Sequence, residues 1–208
     1  MLAEGFYDKN KDFAKSVDYI AQRNPNLFNL HPLYWSPETN YNINNRIIVP
    51  FFSDTKKIEG YTARANTGDY KVRYITDVLP RYIFNYDKLL IKNRKFVVVT
   101  EGIFDAISIS GCAIMKQQMS DFQIKILQEC DKQIIIVPDR DKDGELMVNQ
   151  AMNLGFSVSM PNWGDNIKDV ADAVANYGQI ATLNAILKNR ESNPTKITML
   201  FKRWLIKE

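Results

Sequence analysis

Cysteine and histidine are nearly missing from this chain, which has two cysteines, Cys112 and Cys130, and one histidine, His31, in 208 residues. A structural zinc ion takes four such ligands, so no zinc is expected within the chain, and any zinc-binding module would be a separate segment or protein. No apolar run approaches the roughly 20 residues that a membrane span needs, and no signal-peptide pattern opens the sequence. A cytoplasmic protein with no membrane partner is therefore expected. At 45% hydrophobic and 25% charged residues the composition is not that of a disordered chain, and the length suffices to bury a core in one or two domains.

The net charge of +3 conceals an imbalance along the sequence. Residues 1–95 hold 15 Lys+Arg against 10 Asp+Glu, a net +5, whereas residues 96–208 hold 12 against 14, a net −2. A basic platform beside an acidic pocket suits a polyanion held by one half while metal-bound chemistry proceeds in the other. Ordinary scatter of surface charge also produces an imbalance of this size.

The most informative stretch is FVVVTEGIFD, residues 96–105. Its apolar, β-branched first half predicts a strand covered on both faces, and Glu101-Gly102 then turns the chain into a helix over residues 103–110. Glu101 thus stands at a strand's carboxyl end, where ligands gather in parallel α/β sheets. A second strand, residues 133–137, ends in Pro138-Asp139-Arg140-Asp141-Lys142-Asp143-Gly144. Between and after them the pattern alternates: a short strand at 113–116, helices at 120–130 and 142–154, and a strand at 156–160. That alternation predicts an α/β fold with a small parallel sheet and right-handed crossovers. A loop over residues 162–168 carries Asp165 and leads to Asp169 and Asp172 at the start of another helix.

Upstream, residues 1–29 show a helical pattern through Phe13, Val17, Tyr19 and Ile20. Residues 31–43, with two prolines and three aromatics, are expected to be a packed connector without regular structure, in which His31 is structural. Residues 46–52 and 58–65 predict a hairpin, with Pro50 arguing for an edge strand or a bulge. Arg64, Lys71 and Arg73, interleaved with Tyr70 and Tyr74, can grip phosphates while offering rings for bases to stack on, although a solvated basic loop reads the same way. Residues 195–207 predict a basic amphipathic helix that either docks a partner or packs on the core.

Asp139 and Asp141 are two apart, so in an extended segment both side chains point one way, and hard oxygen ligands so arranged suit Mg²⁺ or Mn²⁺. Glu101 from the adjoining strand completes the cluster. Gathering carboxylates raises their mutual repulsion, which a divalent cation relieves. Helix capping accounts for Asp143 and Asp169 and turn chemistry for Asp139, but neither explains Glu101 and Asp141.

Glu101-Gly102-Ile103-Phe104-Asp105-Ala106, followed by Asp139-Arg140-Asp141 after an apolar strand, resembles the Toprim domain shared by DnaG-like primases, topoisomerases and certain nucleases. Lys168-Asp169-Val170-Ala171-Asp172 resembles the third acidic element of primases. Arg46-Ile47-Ile48-Val49-Pro50-Phe51, Ile58-Glu59-Gly60-Tyr61-Thr62-Ala63-Arg64, Lys71-Val72-Arg73-Tyr74 and Asn85-Tyr86-Asp87-Lys88 are similar to the basic lead-in that precedes Toprim in primases. The compact form is similar to phage or plasmid primases or to an excised catalytic core.

The resemblance implies a basic, strand-rich N-terminal subdomain over residues 1–94, a Toprim-type sheet flanked by helices over 95–178, and C-terminal helices over 179–208, α+β overall. It implies a DNA primase of a bacterial or phage-infected cell that makes RNA primers by metal-dependent nucleotidyl transfer. Asp139, Asp141 and Asp169 would bind Mg²⁺ or Mn²⁺, Glu101 would bind metal or act as a base, and Asp105 would support the cluster. Arg46, Arg64, Lys71, Arg73 and Lys142 would hold template or nucleotide phosphates. Implied partners are single-stranded DNA, NTPs, the RNA primer, a replicative helicase and a separate zinc-binding module. The same carboxylates also suit a Toprim nuclease, and a third reading is a non-catalytic module that binds nucleic acid or a helicase.

Overall fold

The computed structural model describes residues 6–37, 43–66, 71–79 and 81–205; Tyr70, residues 38–42 of the aromatic connector and residues 206–208 at the end of the C-terminal helix pattern lie outside them. The chain divides into two compact units, Met1–Leu79 and Pro80–Glu208.

In the first unit three helices, α1 (Phe6–Lys9), α2 (Lys11–Arg23) and α3 (Leu27–Leu30), precede an antiparallel sheet of β1 (Tyr34–Ser36), β2 (Arg46–Phe52), β3 (Ile58–Ala65) and β4 (Tyr74–Asp77), in that order across the sheet. Asn10 starts α2 by accepting the Phe13 amide at 3.0 Å, and Phe13, Ser16 and Ile20 recur at helical spacing on its buried face. The expected hairpin is β2–β3, closed by the Ser53 amide donating to the Lys57 carbonyl at 2.8 Å.

Residues 31–43 are more regular than their prolines suggest. Tyr34 and Trp35, good β-formers lying between Pro32 and Pro37, form β1 against Ile48 and Ile47. This also corrects the edge expectation for Pro50: β2 is an interior strand, but β1 pairs only as far as Ile48, so the proline sits beyond its reach and next to the register shift at Phe51/Phe52. The Pro50 carbonyl accepts from His31 Nε2 at 2.9 Å, which gives the lone histidine a structural role.

The second unit begins with a single 3₁₀ turn (Tyr86–Leu89) and continues through β5 (Phe96–Thr100), α4 (Ile103–Ile109), β6 (Cys112–Ala113), α5 (Asp121–Glu129), β7 (Gln133–Ile136), α6 (Gly144–Leu154), β8 (Ser157–Ser159), α7 (Val170–Tyr177), α8 (Gln179–Lys188), β9 (Arg190–Glu191) and α9 (Pro194–Trp204). The sheet order is β6-β5-β7-β8-β9, with β6, β5, β7 and β8 parallel and β9 antiparallel at one edge. Val97, Val98 and Val99 on β5 and Ile134, Ile135 and Ile136 on β7 are all buried, as a parallel sheet covered on both faces requires. No helix among the described residues is long and apolar enough to cross a membrane.

The boundary between units differs from the one expected at residues 94/95. Phe84 bridges to Ala113, and Ile83 and Leu89 join the core of the second unit, so residues 81–94 fold with the sheet that follows them. The C-terminal helices do not stand apart either, because Ile186, Ile197, Phe201 and Trp204 enter the same core. Moving the boundary also dissolves the charge asymmetry: Met1–Leu79 holds 10 Lys+Arg against 9 Asp+Glu, a net +1, and Pro80–Glu208 holds 17 against 15, a net +2.

Candidate active site

Adjacent parallel strands bring the two sequence-distant acidic stretches together. β5 and β7 pair in register, with Val99 opposite Ile136, so Glu101 and Asp139 leave the sheet side by side at the carboxyl ends. Burial pushes the Glu101 carboxyl up to about 8, with the charges of Asp139, Asp141 and Asp143 adding to the shift and the Asp139 backbone amide opposing it. Its Oε1 is buried and lacks a hydrogen-bond partner among the described residues.

The surrounding turn is built by backbone contacts. Asp141 Oδ1 accepts the Gly144 amide at 3.0 Å and thereby closes the start of α6, a task that helix-capping logic gives to Asp143, which makes no side-chain cap. A Cβ on Gly144 would lie 2.5 Å from the Asp139 carbonyl oxygen, so the loop and the helix approach more closely than any side chain permits. At Gly102 the atom that a Cβ would meet is a side-chain oxygen, Asp105 Oδ2, and not backbone.

Asp105 is buried at 4% exposure, and its Oδ1 accepts the Ala171 amide at 2.8 Å, an unpaired donor in the first turn of α7. Asp105 thus ties the stretch after β5 to the first turn of α7. Asp169 caps the same helix, accepting the Asp172 amide at 2.8 Å. The Arg140 amide donates to the Lys168 carbonyl at 3.1 Å, which ties the loop bearing Asp169 to the Asp139–Asp141 loop.

Among solved structures, the RNA polymerase domain of Mycobacterium tuberculosis primase DnaG matches with a TM-score of 0.74 at 15% identity, over 94% of this chain and 81% of that one. The Aquifex aeolicus primase, comprising zinc-binding and RNA polymerase domains, matches at 0.69 and 16% identity over 94% of this chain; this chain spans 62% of it. A DnaG primase catalytic domain bound to single-stranded DNA matches at 0.67 and 12% identity, over 94% of this chain and 78% of that one. The chain has the fold of a DnaG-type primase catalytic core. No family model matches the sequence, and no curated protein does.

In this primase-core fold the second unit carries the Toprim-type sheet, and its acids fit a hard divalent cation in one respect and leave the shell open in another. The buried Oε1 of Glu101, close to the charges of Asp139 and Asp141 and without a hydrogen-bond partner among the described residues, is free to face a cation. Yet no three potential ligand side chains among the described residues converge closely enough to enclose one. Mg²⁺ tolerates such a partial shell, because it commonly keeps several waters and binds through one or two carboxylates plus substrate phosphates.

The basic residues divide in the primase-core fold. Arg46, expected to contact phosphate, is 3% exposed, and its guanidinium donates to the carbonyls of Ala63 (3.3 Å), Val72 (2.9 Å) and Arg73 (3.3 Å). It is a buried brace of the first unit, because a guanidinium withdrawn from water binds the nearest backbone acceptors. Arg64 lies 4.3 Å from the Tyr74 ring centroid and 5.3 Å from that of Tyr19, so these rings stack on a cation of the protein itself. Lys71, Arg73 and Lys142 are exposed.

Sequence reasoning missed Arg140, whose side chain reaches the carbonyls of Gly164, Ile167 and Trp204. The available signal was the alternation that aligns Asp139 with Asp141, since it sends the residue between them to the opposite side.

Proposed function

We propose that this chain is the catalytic core of a DNA primase, a DNA-directed RNA polymerase that joins ribonucleotides on single-stranded DNA in the cytoplasm of a bacterial or phage-infected cell. The observation that carries this reading is the extent of the likeness, which spans 94% of the chain and so takes in the antiparallel first unit as well as the Toprim-type sheet. A nuclease or binding module built on that sheet alone would account for the second unit only. A DNA template is further supported by the neighbours solved with DNA, a DnaG catalytic domain with single strands and the M. tuberculosis domain with duplex.

Asp139, Asp141 and Glu101 would hold Mg²⁺ or Mn²⁺, with Asp169 contributing from the loop tethered to Arg140. A cation there would supply Lewis-acid activation of a hydroxyl and neutralise the charge of a leaving pyrophosphate. Glu101 either gives its carboxylate to the cation or takes the proton of the primer 3′-hydroxyl at Oε1. Asp105 holds the start of α7 and thereby the position of Asp169. Lys71, Arg73 and Lys142, being exposed, would hold template and nucleotide phosphates, as would Arg64 from its place on the Tyr74 and Tyr19 rings. This reading implies a replicative helicase as partner, and a separate zinc-binding module is compatible with it.

Incubation with single-stranded DNA, NTPs and Mg²⁺ or Mn²⁺ tests the proposal. Short RNA products that require NTPs support it. DNA shortened without any NTP requirement overturns it in favour of the nuclease.

A further inference from the structure

Arg140 stands between the two carboxylates expected to bind metal, yet its guanidinium donors are directed to carbonyls on two other segments. Nη1 donates to Gly164 O at 2.9 Å and to Ile167 O at 3.0 Å, and Nε donates to Trp204 O at 3.0 Å. The guanidinium carbon lies 5.5 Å from the Trp204 ring centroid, and the backbone amide of Arg140 donates to Lys168 O at 3.1 Å. One residue thus joins the Asp139–Asp141 loop, the loop that delivers Asp169, and the end of α9.

Trp204 is a firm anchor for this contact. It is 6% exposed, its indole Nε1 donates to Pro161 O at 2.7 Å, and Ile197 and Phe201 bury the same face of α9. It is also the last residue of its helix, where carbonyls lack intrahelical donors and carry the negative end of the dipole. A guanidinium satisfies that end, stacks on the ring and still reaches the loop carbonyls; an ammonium has the charge but not the planar fork.

We propose that Arg140 is a positioning residue, which fixes the Asp139–Asp141 pair for divalent-cation binding by clamping its loop to Trp204 and to the 161–168 loop. The proposal rests on the metal site given under the proposed function. Partners that orient ligands from outside the coordination shell typically change metal affinity about 10–100-fold when removed.

The test is Mn²⁺ binding by calorimetry together with the paramagnetic resonance spectrum of bound Mn²⁺. Both are measured on the full chain well below its melting temperature, with circular dichroism confirming the fold. Arg140→Gln should weaken Mn²⁺ binding about tenfold or more and alter the spectrum, and Arg140→Lys, which keeps the charge, should not restore either. Trp204→Phe, which loses the bond to Pro161 but keeps a ring and the carbonyl, should give a smaller loss in the same direction. A folded Arg140→Gln that binds Mn²⁺ like the parent, while Asp141→Asn does not bind, overturns the clamp and leaves the metal site standing. If Asp141→Asn binds Mn²⁺ normally, both fail. Should Arg140→Gln not fold, Trp204→Phe decides, and unchanged Mn²⁺ affinity in that variant overturns the proposal.

Discussion

The buried carboxylate of Asp105 accepts the backbone amide of Ala171 at 2.8 Å, across 66 positions of sequence. An acid that sits in the motif stretch therefore acts as an anchor for the helix that presents Asp169. Replacing it with alanine leaves a buried donor without that acceptor, at a cost of about 1–3 kcal/mol. For a chain of this length, each kcal/mol lowers Tm by roughly 2–4 °C. Asp105→Ala should therefore melt several degrees early and bind Mn²⁺ more weakly, whereas Asp105→Asn, which keeps an acceptor oxygen, should recover part of both. An unchanged Tm in Asp105→Ala would show that the contact does not anchor α7.

Glu101 gives a pH dependence of defined sign. Its carboxyl is raised from 4.5 to about 8 in the folded chain, so the folded state holds the proton more tightly than the unfolded state does. The associated stability is fully present below about pH 4.5 and is lost as the pH rises through 8. Metal-free protein should become less stable between pH 5 and 9, and Glu101→Gln should flatten that decline. Mn²⁺ affinity should rise over the same range, because the ligand must first lose its proton. Thermal melts in EDTA beside Mn²⁺ titrations at each pH measure both, and a flat parent profile would contradict the raised carboxyl.

Binding and chemistry should separate by residue. Arg73→Ala removes an exposed cation and should weaken single-stranded DNA binding and lower the salt slope by up to about one unit. Asp141→Asn should abolish synthesis while leaving DNA binding unchanged or slightly tighter. Arg46→Ala should register mainly as lost stability, since it strips a donor from the buried carbonyl of Ala63 and removes the tie to the carbonyls of Val72 and Arg73. Filter binding across salt, a primer assay and thermal melts on the same three variants distinguish these outcomes. A fully active Asp141→Asn would refute the assignment.

Two glycines should differ in what their replacement disturbs. In Gly102→Ala the new methyl meets Asp105 Oδ2 at 2.3 Å, the far end of a side chain, whereas in Gly144→Ala it meets the Asp139 backbone oxygen at 2.5 Å. Overpacking of this kind typically costs about 1–3 kcal/mol, and it falls on whatever must move. Gly144→Ala should therefore displace the Asp139 loop and reduce Mn²⁺ affinity more than Gly102→Ala does at equal loss of Tm. Calorimetric Mn²⁺ titrations of both variants provide the comparison, and the reverse order would contradict it.

The sequence by itself determined the two central strands and what stands at their ends. Residues 96–100 and 133–136 are strands because apolar β-branched runs have few other stable fates, and pairing them side by side placed Glu101 next to Asp139. The β2–β3 hairpin and the amphipathic α9 were legible for the same reason, since periodicity and turn chemistry act over a few residues. Only the tertiary structure decided how the residues around them are used. Nothing local distinguishes the buried Arg46 from the exposed Arg73, makes Asp105 an anchor, or sends Arg140 to Trp204. The two-residue β9 exists only because β8 offers an edge, the short strand expected at 113–116 forms as Cys112–Ala113 where β5 offers one, and residues 81–94 fold with the second unit because Phe84 meets Ala113. Each of these depends on a partner brought near by the folded chain, and a local pattern carries no record of partners that lie far away in sequence.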